Sequence, residues 1–60
     1  MNGEKALKEM IATLKFSNKE LEERKNECED ALGKAWYEGK IAANNDAIEI
    51  AEHLINCLDK

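Results

Sequence analysis

Glu49, His53 and Cys57 stand at four-residue intervals, so on a helix they share one side and offer a carboxylate, an imidazole and a thiol together. Those are three kinds of metal ligand. A structural zinc site normally takes four ligands, chiefly Cys and His, in a closed arrangement, so this set would need completion across a dimer. His53 is the one histidine in the chain. A solvated His53 beside a glutamate is the expected outcome, with no metal and no other cofactor.

Nucleophilic chemistry has less to work with. Ser17 is the one serine and is placed to cap a helix, and neither a Gly-rich phosphate loop nor an HExxH pattern occurs. The 13 Asp and Glu residues are scattered along the chain, and so short a helical protein has little concave surface on which to shift a carboxylate pKa. The residues point to a protein that is not an enzyme.

Composition then narrows what can position any site. Sixty residues form a single domain spanning 1–60, and a chain of this size buries only about 60% of the surface that it exposes when unfolded. Self-association or a bound partner is the expected supplement. Proline and valine are absent, threonine occurs once, and Ala, Leu, Ile, Glu and Lys dominate, which sets an all-α class. A net charge of −4 argues against direct contact with nucleic acid or an anionic membrane. Because Lys and Arg are interspersed among the acids, mimicry of nucleic acid is the least favoured of the functional readings.

No apolar run exceeds three residues, so neither a signal-peptide core nor a membrane span is expected, and the chain reads as cytoplasmic. Gly3 does not match a myristoylation site, and Cys57-Leu58-Asp59-Lys60 does not match a prenylation signal. Cys28 and Cys57 are expected as small apolar fillers, with a pairing across a dimer interface as the alternative.

Apolar spacing defines the arms. Leu7, Met10, Ile11 and Leu14 follow the i, i+3, i+4, i+7 pattern of one helix face, and Leu21, Cys28 and Ala35 continue it at sevenfold steps, with Leu32 beside them. Asn18 and Lys25 fall near the centre of that stripe, where polar groups lower stability and can specify register. Gly33 lies near the midpoint and could end a helix in the left-handed conformation. The reading is an antiparallel helical hairpin with helices over about 4–15 and 17–32, a turn near 33–34 and a helix over about 35–58. A rival boundary at Asn44-Asn45-Asp46 would cap a shorter last helix.

The division of the first arm comes from FSNKEL, residues 16–21. Ser17 and Glu20 match a capping box, and Phe16 and Leu21 match its hydrophobic staple, which predicts a break or kink near residues 16–17 and hence three helical segments. In an unbroken helix Phe16 would instead point about 180° away from Leu7, Leu14 and Leu21. A break tucks Phe16 into the fold; continuity displays it.

On the second arm Tyr37, Ile41, Asn44, Ile48, Ala51, Ile55 and Leu58 alternate steps of four and three as a seam should. Trp36, Ala43, Ala47, Ile50, Leu54 and Cys57 form another stripe beside it, widening the apolar arc to roughly 200°. One neighbouring helix cannot cover that arc. A homodimeric four-helix bundle or a groove on a host protein would cover the second stripe, and Phe16, Trp36, Ile50, Leu54 and Cys57 are the candidate contacts. Trp36 reads equally as a contact or a core plug, whereas Tyr37 reads as core.

The ending YEGKIAANNDAIEIAEHLINCLDK, residues 37–60, resembles small helical proteins encoded in phage and prophage genomes, through a Tyr-x-Gly-Lys-Ile element followed by an Ala-Ile-x-x-Ala-x-x-Leu helix. The resemblance implies a short acidic protein that binds and blocks a host enzyme, an immune nuclease or the transcription machinery, with no common catalytic residues. Together with the uncovered stripe it predicts a non-enzymatic inhibitor or modulator, a homodimer that engages a host protein. The alternative is a purely structural self-associating bundle.

Overall fold

The computed structural model of the protein describes residues 2–58. Helix α1 (Asn2–Glu27) and helix α2 (Ala31–Leu58) are joined by Cys28-Glu29-Asp30 and pack against each other as an antiparallel hairpin. The hairpin measures 46 × 14 × 10 Å over its Cα atoms, with a radius of gyration of 14.0 Å. A compact domain of this length would have a radius of roughly 10 Å. The molecule is therefore a rod two helices wide.

The reversal lies at 28–30, ahead of the expected turn at 33–34, and the reason is a cap. Asp30 stands just before α2, where its Oδ2 accepts a hydrogen bond from the Gly33 N–H at 3.1 Å and its carbonyl accepts one from Lys34 N–H at 3.0 Å. The side-chain bond satisfies a backbone donor that the first turn of a helix otherwise leaves unpaired. On the other side the Cys28 N–H donates to the Lys25 carbonyl at 3.1 Å, tightening the end of α1. Arg24 and Lys25 occupy that last turn, where positive charge suits the helix dipole.

Gly33 serves by its size rather than by left-handed freedom. It is helical, and a Cβ placed on it would come within 2.5 Å of Cys28 Sγ. The thiol thus occupies the space over the first turn of α2, 3.6 Å from the Asp30 carbonyl.

The expected break near residues 16–17 is absent, because α1 runs through FSNKEL without interruption. An interruption would free up to four N–H groups, of which the capping box satisfies only two, and it would also release the last carbonyls of the preceding segment. Burying Phe16 would return only about 1.5–3 kcal/mol. Continuity also keeps Leu21 in phase with Leu14 on the side that meets α2. The three expected segments, 4–15, 17–32 and 35–58, are replaced by two helices, and α2 passes Asn44-Asn45-Asp46 unbroken.

Hydrogen bonds donated by Asn44 to Asn18 and by Asn18 to Asn45 fix the pairing of the helices. At that register Leu7 stands level with Ile55, Ile11 with Ala51, Leu14 with Ile48 and Leu21 with Ile41. All eight are buried or half-buried, following the predicted seam. Leu58 departs from it and is exposed. Among the described residues the buried core is Ile48 and Ala51, both on α2, and no large side chain is fully enclosed.

Candidate interaction surface

Halfway along the hairpin the apolar seam gives way to amides. Asn44 Nδ2 donates to Asn18 Oδ1 at 2.9 Å and to Ser17 Oγ at 3.4 Å, while Asn18 Nδ2 donates to Asn45 Oδ1 at 2.8 Å. Ser17 is drawn into this cluster, so its hydroxyl meets α2 instead of capping a helix. A slide of one helix along the other would separate these groups, which gives the cluster a role in setting register at a cost in apolar burial.

Nearer the turn Lys25 occupies a seam position and resolves its charge locally. Its Nζ lies 3.1 Å from Glu22 Oε1 and 3.7 Å from Glu38 Oε2, the latter across the helix pair. Hydrogen bonding to Glu22, reinforced by the charges of Glu22 and Glu38, holds the ammonium pKa above its ordinary value, although partial burial pulls the other way. Beside it Tyr37 is half-buried in the seam, with its ring edge-to-face against Trp36 at a centroid distance of 5.1 Å and an angle of 82°.

Trp36 belongs to a different surface. It is 58% exposed, and Lys40 Nζ lies 5.0 Å from its ring centre, within cation–π range. Ile50 is 62% exposed and Leu54 45%. At 100° per residue, Trp36, Ala43, Ala47, Ile50, Leu54 and Cys57 fall within an arc of about 80°, centred roughly 110° from the seam. Helix α1 leaves most of this arc open.

The five candidate contacts therefore divide by place. Trp36, Ile50, Leu54 and Cys57 share the outer face of α2, all exposed. Phe16 stands apart on α1, 62% exposed and pointing away from the seam. Leu32 and Leu58 extend the α2 face at its two ends, and Met10 borders it on α1. Residue spacing carries the signal for Leu32, which lies one turn before Trp36; a turn at 33–34 would place it outside the second helix.

His53 Nε2 lies 3.8 Å from Cys57 Sγ, with both residues exposed. Among the described residues no three His, Cys, Asp or Glu side chains converge as a metal-holding group. No helix among them is long and apolar enough to cross a membrane. Cys28 and Cys57 are both free thiols, Cys28 half-buried in the turn and Cys57 in the open.

Comparison with protein families, with curated proteins and with solved structures finds no match to this chain. The class that the geometry defines is a two-helix antiparallel hairpin with one apolar face left open.

Proposed function

We propose that this chain is a non-enzymatic protein–protein interaction module that acts in the cytoplasm by laying apolar helix faces against a larger host protein, as an inhibitor or modulator. The observation that carries the reading is the imbalance on α2. Ile48 and Ala51 are buried, while Trp36, Ile50 and Leu54 lie exposed along one side of the same helix. Scattered exposed leucines are ordinary on protein surfaces, but aligned aromatic and aliphatic groups of this kind mark interaction sites. The resemblance of residues 37–60 to phage-encoded helical proteins supports a host protein as the target.

The test is affinity capture from host lysate with the tagged wild-type chain and with Ile50→Asp/Leu54→Asp, helix content being monitored by circular dichroism. The wild type is expected to retain a specific partner that the doubly substituted chain loses while remaining helical. Equal retention by both chains would overturn the assignment of this face.

A further inference from the structure

We propose that α2 pairs with α2 of a second copy, antiparallel, about a two-fold axis between Asp46 and Ala47. The proposal takes from the reading above only that the outer face of α2 is an interface; with a second copy seated on that strip, a host protein would have to displace it or bind elsewhere on the assembled pair.

The first support is area. The chain exposes 4708 Å², whereas a compact monomer of its 6.8 kDa mass would expose roughly 4,000 Å². That excess of about 700 Å² belongs to the rod as a whole, and an interface taking roughly 800 Å² from each partner would bring the exposure per chain down to about that of a compact protein. A second copy supplies a matching apolar strip of the same length, and stacking two such hairpins gives a four-helix bundle.

The second support is the distribution of side-chain size along the strip. After Trp36 at its start, its first half carries Gly39, Ala43 and Ala47, and its second half carries Ile50, Leu54 and Cys57. Antiparallel self-pairing about that axis sets Ile50 against the partner's Ala43, Leu54 against the partner's Gly39, and Cys57 against the partner's Trp36. Large groups then meet small ones at the first two levels. Parallel pairing would set large against large and leave gaps between the small residues.

Gly39 sharpens the point. It sits inside α2, where glycine is a poor helix former, and a Cβ added to it would meet nothing within 4 Å. The hairpin itself therefore has no steric need for glycine there. Close approach by the partner's Leu54 supplies one.

Sedimentation equilibrium of the full chain across concentration is the first measurement. A monomer–dimer equilibrium is expected, and a chain that stays monomeric at its highest soluble concentration overturns the pairing. Gly39→Ala then separates packing from propensity. Helix content should hold or rise, while the dimer dissociation constant increases about tenfold because the added methyl overpacks the interface. A dimer unchanged or tightened by that substitution overturns the proposed register.

Direction is read from Cys28→Ser/Trp36→Cys oxidised with oxidised glutathione and mapped by mass spectrometry. An intermolecular link between positions 36 and 57 supports antiparallel pairing; links restricted to 36–36 and 57–57 overturn it. A monomeric wild type that still loses a distinct host partner on Ile50→Asp/Leu54→Asp would end the self-pairing proposal and leave the interaction reading standing.

Discussion

The two sides of α2 carry similar aliphatic residues into opposite environments. On the seam, Ile48 is 8% exposed. Two positions along, Ile50 points outward from the same helix. Hydrophobicity is the same at both places, so the difference comes from the neighbour: α1 has Leu14 level with Ile48 and leaves Ile50 62% exposed. Seam residues hold the hairpin together, and outer residues are available for assembly.

Identical substitutions at these two positions test the distinction most severely. Ile48→Asp should unfold the hairpin, at a cost of at least about 3 kcal/mol, because it removes buried apolar contacts and places an unpaired charge between the helices. Ile50→Asp should change the stability of the dilute, unassociated chain by no more than about 0.5 kcal/mol. Urea titration followed by circular dichroism measures both. Comparable losses would mean that the outer face supports the single hairpin as much as the seam does.

A smaller effect is expected at the turn, which belongs to neither face. Asp30→Ala removes the acceptor for Gly33 N–H and should cost about 1 kcal/mol in the same titration. The association of any folded dimer should be little changed, since Asp30 lies off the outer strip.

The smallest effect concerns the polar end of the seam and has a definite sign. Lys25 has a folded pKa raised above 10.5 by Glu22 and then Glu38. Its paired ammonium therefore contributes below pH 10.5, and the contribution disappears as pH rises through the higher folded value. Wild-type stability should decline across that alkaline window relative to Lys25→Met. Parallel stability curves would show that Lys25 is energetically silent, as many exposed ion pairs are.

The alternating spacing of Tyr37, Ile41, Asn44, Ile48, Ala51 and Ile55 makes the inner side of α2 legible in the sequence, because helical phase alone decides which residues can meet one neighbour. The outer strip is legible for the same reason. The turn is not, because glycine signals two different things. Gly33 could end a helix by its backbone freedom or admit a close side chain by its small size, and Asp30 decides for the second by capping α2 from three residues upstream. FSNKEL misleads in a related way: a capping box describes side chains able to satisfy free N–H groups, but within continuous α1 those groups are engaged along the helix. Asn18 and Asn44 are each legible as polar seam residues, but their bonding to one another depends on a register that a turn at 33–34 would not produce.

The three-residue Cys28-Glu29-Asp30 link has a consequence for the order in which the rod forms. Contacts beside it close small loops, whereas Leu7 and Ile55 must meet across most of the chain, and loop-closure entropy grows with that separation. Zipping therefore proceeds outward from the link, and the free ends join last and open first. Leu54 and Met10, on the open face, belong to this late-closing half. A molecule seated there would hold the two ends together as well as cover them, so binding should slow exchange of backbone amides in the outer turns of α1 that it need not touch.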